Sequence, residues 1–253
     1  MDTVKQPAKL YGLIGYPLEH SFSKKFFSEK FSTEKIDAKY QLFPINNINL
    51  FAEILENNPA LCGLNVTIPY KEKIIPLLDE LDETAKEIGA VNVIKFVRMD
   101  EKLKLIGYNS DIVGFENSFR PLLKLHHNKA LILGTGGASK GVAFVLRKLG
   151  IAYKFVSRTP SDEQFSYADL NRDIINEYPV IINTTPSGTF PYTDECPDIP
   201  YSALSEKNLL YDLIYNPEET LFLQKGKEQK TAIKNGLKML HGQAIEAWNI
   251  WNK

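Results

Sequence analysis

Apolar residues fall in short runs that alternate with stretches of helical spacing. Leu10-Tyr11-Gly12-Leu13-Ile14-Gly15 is a continuous apolar run closed by glycine and predicts a buried strand. Ser23 is an N-cap candidate for a helix that turns Phe26, Phe27 and Phe31 inward. Residues 40–43 and 64–67 predict two more strands, the second stopped by Pro69. Leu50, Phe51, Ile54 and Leu55 have the i, i+1, i+4, i+5 spacing of an amphipathic helix. Residues 74–81 read as helical beyond a break at Pro76, and residues 90–97 and 102–108 as two paired strands around Met99-Asp100-Glu101.

The texture changes near Asp111. Ile112, Phe115, Phe119 and Leu122 are spaced as a helix. Ala130-Leu131-Ile132-Leu133 is a continuous apolar run ended by Gly134. A helix over 138–149 follows, with Val142, Val145, Leu146 and Leu149 inward and Gly150 as its stop. Residues 151–156, 180–182 and 209–211 predict further strands. Strands covered on both faces read as unbroken apolar runs, so this half predicts a parallel sheet between helices, an α/β fold. Over residues 236–253, Leu237, Leu240, Ala244, Ala247, Trp248 and Trp251 recur at helical intervals, giving a helix with one apolar side.

The chain length of 253 residues allows one to two domains. Lys plus Arg number 30 and Asp plus Glu 31, a net charge of −1. That balance argues against a protein that grips nucleic acid through a basic excess. No window approaches the ~18 consecutive apolar residues of a membrane helix. The polar first residues lack the apolar core of a signal peptide, and Cys62 and Cys196 suit a reducing compartment with no metal-ligand spacing. The expectation is a cytoplasmic enzyme without a metal.

Gly134-Thr135-Gly136-Gly137-Ala138-Ser139 lies between a predicted strand and a predicted helix. Gly134 permits a tight turn, Gly136 lets backbone approach a pyrophosphate, and the helix N-terminus favours its charge. Ser139 replaces the third glycine of G-x-G-x-x-G. The next strand ends at Val156-Ser157-Arg158-Thr159, where an NAD site carries an acid for the ribose hydroxyls. Arg158 in that stretch pairs with a 2′-phosphate instead, which favours NADP over NAD.

Three further polar segments follow predicted strands: residues 15–23, residues 65–71 and Gly107-Tyr108-Asn109-Ser110-Asp111. In open α/β sheets such positions line the ligand crevice. Lys71 and Asp111 there would form an acid–base pair, although either alone is more often a solvated charge.

With these segments the chain resembles the shikimate dehydrogenase family over essentially its whole length. The resemblance rests on Gly15 to Ser23 (G-x-P-x-x-H-S-x-S), Asn65 to Lys71 (N-V-T-x-P-x-K), Gly89-Ala90-Val91-Asn92 and Gly107 to Asp111. It extends to Gly134 to Ala138, Ile182 to Pro186, Tyr211 to Thr220, and Asn235 to Gln243. It implies reduction of 3-dehydroshikimate to shikimate with NADPH, a step toward the aromatic amino acids. By the same resemblance Lys71 and Asp111 are the catalytic pair, and Ser21 and Ser23 hold the substrate carboxylate. Thr67, Asn92, Tyr215 and Gln243 are further substrate contacts. Gly134, Thr135, Gly136, Gly137, Ala138, Ser157, Arg158, Thr159, Leu213 and Gly236 are cofactor contacts.

The implied architecture is α/β with two domains. A substrate domain with a mostly parallel sheet takes residues 1–111 plus 237–253, and a Rossmann-like NADP(H) domain takes residues 112–236. The C-terminal helix, with Trp248 and Trp251, returns to the first domain. The expected partner is a small-molecule substrate, without nucleic acid or membrane, in a monomer or homodimer. Departures from the family pattern are Lys24 for a proline, Val93 for a threonine, Ile112 for a glycine, and Ser161-Asp162 where a second basic residue is common. None removes a reacting group. A paralogue acting on quinate and a nucleotide-binding sensor without chemistry are the alternatives.

Overall fold

The computed structural model describes residues 9–19, 21–99 and 102–253. His20, the histidine of the Gly15 to Ser23 segment, lies outside them. The described residues divide into two compact units, one made of those up to Ser110 together with Ala244–Lys253 and one of Asp111–Gln243.

The first unit carries strands β1 (Lys9–Gly15), β2 (Ala38–Pro44), β3 (Leu61–Val66), β4 (Glu80–Leu81), β5 (Val93–Met99) and β6 (Lys102–Tyr108). Helices α1 (Phe22–Thr33), α2 (Phe51–Asn57) and α3 (Glu83–Ile88) join them. The sheet order is β2-β1-β3-β5-β6-β4. The β1/β2, β1/β3 and β4/β6 pairings are parallel, and β3/β5 and β5/β6 are antiparallel. Alternate residues of β1 serve two cores, as the period of a strand requires. Ile14 joins Phe43, Leu61, Leu64 and Ile94, whereas Tyr11 and Leu13 join Phe27, Phe31 and Trp251.

The second unit contains α4 (Asp111–Phe119), β7 (Lys129–Leu133), α5 (Gly137–Lys148), β8 (Ala152–Ser157), β9 (Phe165–Ser166), α6 (Arg172–Glu177), β10 (Val180–Asn183), β11 (Leu209–Asp212), α7 (Leu221–Glu228) and β12 (Ala232–Lys234). Its sheet, β12-β11-β10-β7-β8-β9, is parallel throughout. Ala130, Ile132, Ile182 and Tyr211 face one core, and Leu131, Leu133, Ile181 and Leu210 face the other. The apolar runs are therefore unbroken because both faces are covered. The strand order reverses between β7 and β10, the position where such sheets bind ligands.

The last helix, α8 (Leu237–Asn252), belongs to both units. The boundary predicted at 237 lies instead between Gln243 and Ala244. Met239 is part of the second core, and Gly114 of α4 backs onto the Met239 carbonyl and the Gln243 backbone. From Ala244 onward the apolar side joins Tyr11 and Phe27 in the first unit. Asp111, predicted at the end of the first domain, opens α4 in the second unit.

The helix predicted over 74–81 is not formed. A single turn at Ile75–Leu77 gives way to β4, because Pro76 supplies no N–H and the chain turns to bond β6. The Asp79 N–H donates to the Leu105 carbonyl at 3.0 Å and the Asp79 carboxylate accepts the Leu105 N–H at 2.7 Å. His127 is buried, with its Nδ1 accepting the Lys124 N–H at 3.1 Å and its Nε2 3.2 Å from the Lys207 carbonyl. No helix among the described residues is long and apolar enough to cross a membrane.

Candidate functional site

In the first unit the polar segments sit just past the carboxyl ends of β1 and β3, which run parallel. Gly15 ends β1 so close to Thr67 that a side chain there would collide with the Thr67 methyl. The Tyr16 N–H donates to the Ile68 carbonyl at 3.1 Å, and the Thr67 N–H to the Ile14 carbonyl at 2.9 Å, so the two loops are tied together. The Lys71 carbonyl accepts the Val91 N–H at 2.7 Å, which anchors the turn carrying Lys71 beside the Asn92 segment.

Ser21, not Ser23, occupies the N-cap position of α1, yet its side chain makes no capping bond. The Ser21 Oγ is buried with no hydrogen-bond partner among the described residues. Ser23 lies within the helix and its hydroxyl bonds with Tyr40. The Tyr40 hydroxyl donates to Asn65 Oδ1 at 2.7 Å, and Asn65 Nδ2 donates to the Asn92 carbonyl at 3.3 Å. Asn92 Oδ1 accepts the Ser110 N–H at 2.7 Å. A line of bonded polar groups thus runs from Ser23 to the residue that precedes Asp111. Burial keeps the Tyr40 phenol protonated far above its ordinary range, so it acts as a fixed donor. Tyr40, read from sequence only as part of a strand, is the link that periodicity did not single out.

In the second unit Asp111 is buried at the start of α4. Gln243 lies on α8, whose Gly242 packs directly on Gly114 of α4. Tyr215 follows β11, and burial raises its phenol.

The glycine turn joins β7 to α5 at the reversal of strand order. Gly134 has φ +101°, which residues with a Cβ rarely adopt. Gly136 is the N-cap of α5, it offers no side-chain cap, and a Cβ there would meet nothing within 4 Å. The Ser139 N–H closes back on the Gly136 carbonyl at 3.0 Å, and the open space beside Gly136 at the helix N-terminus fits an anionic pyrophosphate. Ser139 replaces a glycine without strain, since its hydroxyl donates to the Gly136 carbonyl at 2.6 Å. At the end of β8, Ser157 Oγ accepts the Thr159 N–H at 3.2 Å, which shapes the turn that projects Arg158 into solvent. The Arg158 charge also acts on the Tyr167 phenol, partly offsetting the upward push of burial. Gly236 is required because the Leu213 carbonyl occupies the place of a Cβ, and its N–H donates to the Ile214 carbonyl at 2.9 Å. The predicted cofactor residues Leu213 and Gly236 are thereby neighbours.

Sequence reasoning missed a buried network beside this turn. Asp212, at the end of β11, accepts the Thr220 hydroxyl at 2.6 Å, the Ile214 N–H at 3.0 Å and Asn183 Nδ2 at 3.1 Å. Burial nevertheless pushes its carboxyl up to about 6. A carboxyl raised in the folded state opposes folding as pH rises from its unfolded value through about 6. The ionised form therefore costs about 3 kcal/mol at neutral pH. The sequence signal available was a polar residue closing an apolar run, at Asn183 and again at Asp212.

A family model described as the shikimate dehydrogenase substrate binding domain matches residues 13–94. The NADP(+)-dependent shikimate dehydrogenase of Aquifex aeolicus is 38% identical over 98% of this chain and 93% of its own length. The corresponding protein of Methanococcus maripaludis is 37% identical over 98% and 93%. The crystal structure of shikimate 5-dehydrogenase from Thermus thermophilus in complex with NADP(H) and shikimate superposes with a TM-score of 0.83. It is 27% identical and covers 96% of this chain and 93% of that one. With near-complete coverage at this identity, the chain belongs to the shikimate dehydrogenase family.

Proposed function

We propose that the protein reversibly reduces 3-dehydroshikimate to shikimate with NADPH, as a cytoplasmic enzyme. The observation that carries the substrate reading is the buried Ser21 hydroxyl without a partner among the described residues. A buried hydroxyl left unpaired costs about 1–3 kcal/mol, which a carboxylate oxygen on the ligand would recover. Ser21 and Ser23 take the carboxylate of the ring acid, and Thr67, Asn92, Tyr215 and Gln243 take its hydroxyls. Gly134, Thr135, Gly136, Gly137 and Ala138 receive the cofactor pyrophosphate, and Ser157, Arg158 and Thr159 its 2′-phosphate end. Leu213 and Gly236 shape the remaining cofactor wall. When bound, the reduced nicotinamide supplies a hydride to the ring carbonyl carbon. Lys71 donates a proton to the carbonyl oxygen as it gains charge, and recovers that proton in the reverse direction. Asp111 is the second member of the acid–base pair.

The test is nicotinamide absorbance with four combinations, shikimate or quinate with NADP⁺ or NAD⁺. Shikimate with NADP⁺ is expected to turn over fastest. Faster turnover of quinate would favour the paralogue, and none with any pair would favour a sensor. Cofactor choice has its own variant. Arg158→Ala is expected to raise the KM for NADPH about tenfold, the lower end for a bond to a charged group because Arg158 is exposed. The KM for NADH stays unchanged, and an equal loss with both cofactors would remove the 2′-phosphate role.

A further inference from the structure

Asp212 is fully buried, ionised at a cost to stability, and used by no chemical step above. Its bonds suggest what the charge does. A carboxylate only accepts, so it forces the Asn183 side chain to turn its nitrogen toward Asp212 and its oxygen away. That oxygen accepts both the Thr185 N–H at 3.0 Å and the Thr185 hydroxyl at 2.6 Å. The neighbouring Thr184 hydroxyl donates to the Leu133 carbonyl at 2.6 Å. A Cβ on Gly134 would lie 3.0 Å from Thr184 Oγ1 and from Thr185 Cγ2, so this loop packs on the glycine turn itself. On its other side Asp212 holds the Ile214 N–H, and Ile214 and Leu213 in turn meet Gly236.

We propose that Asp212 is a positioning residue for cofactor binding, its buried carboxylate orienting the loops after β10 and β11 that flank the glycine turn. This rests on the reading of the second unit as the NADP(H)-binding one. It explains why a charge is kept where a neutral group would stabilise the fold, since charge-assisted bonds are about twice as strong as neutral ones and fix direction. An acceptor-only group also leaves Asn183 a single orientation.

Asp212→Asn removes the charge and keeps the shape. Its thermal midpoint at neutral pH is expected to equal or exceed that of the wild type. Its Kd for NADPH, read from nucleotide fluorescence, is expected to rise about tenfold. A purely structural residue would lower the midpoint and leave Kd alone, and a Kd within twofold of wild type overturns the proposal. Should Asp212→Asn fail to fold, Thr220→Val and Thr220→Ser decide. The valine removes a donor to the carboxylate and should weaken NADPH binding, whereas the serine keeps the hydroxyl and should not; equal Kd values overturn the proposal. If the wild-type protein binds no NADPH, the functional reading fails and Asp212 with it. If it binds and Asp212→Asn binds equally, only the positioning role fails.

Discussion

Replacing Lys71 with methionine is expected to lower kcat for shikimate oxidation by about a thousandfold, while the Kd for NADPH changes less than about twofold. General acid–base assistance from a positioned group contributes about 10²–10⁴ in rate. Loss of a fixed positive charge near a developing oxyanion adds to that. Methionine keeps most of the stem, so the loss isolates the ammonium. The backbone of the turn is set independently of the side chain, through the Lys71 carbonyl and Val91 N–H and through the Tyr70 hydroxyl donating to the Ile45 carbonyl at 2.6 Å. The turn should therefore survive the substitution. In the proposed role the ammonium serves the substrate carbonyl and not the cofactor phosphates, which is why cofactor affinity should hold. Turnover within tenfold of wild type would show that another group supplies the proton.

The elements most legible in the sequence were those whose burial is two-sided. Residues 130–133 and 180–182 read as unbroken apolar runs, and both cores of the second unit draw on them. The glycine turn was legible because it lay between two such signals. Short elements were harder. Helices α3 and α7 were not predicted, although Asp82 caps one and Thr220 the other with side-chain bonds to first-turn N–H groups. With six and eight residues they hold too few apolar positions for a period to emerge. The division inside α8 was hidden for the opposite reason. Its apolar spacing runs unbroken from Leu237 to Trp251, and periodicity reports that a face is covered without saying which core covers it. The polar line from Ser23 through Tyr40 to Asn92 depends on residues far apart in sequence, so no local pattern announces it. Family resemblance gave roles to Ser21, Ser23 and Asn92 but none to Tyr40, nor to Asp212 within the matched segment Tyr211 to Thr220; their roles come from what they hold.

Truncating Trp251 to alanine is expected to destabilise the first unit by about 3–5 kcal/mol, the range for emptying a buried aromatic site. The indole is 7% exposed. Its ring centroid lies 4.8 Å from that of Tyr11 and 5.2 Å from that of Phe27, and its Nε1 donates to the Ile94 carbonyl at 3.1 Å. It also lies directly over Gly63 of β3, where any Cβ would strike the ring. One side chain near the end of the chain therefore touches β1, α1, β3 and β5, and it fastens the last turns of α8 to the sheet that carries Lys71. Trp251→Phe should cost less, about 1–2 kcal/mol, because it keeps the ring packing and leaves the Ile94 carbonyl without that donor. Gly63→Ala should approach the alanine truncation in size, since both empty the same place for the indole, one by deletion and one by collision. Urea denaturation followed by tryptophan emission for Gly63→Ala and by far-ultraviolet dichroism for the others measures all three. An alanine truncation costing less than about 1 kcal/mol would mean that the C-terminal turns are not anchored through this ring.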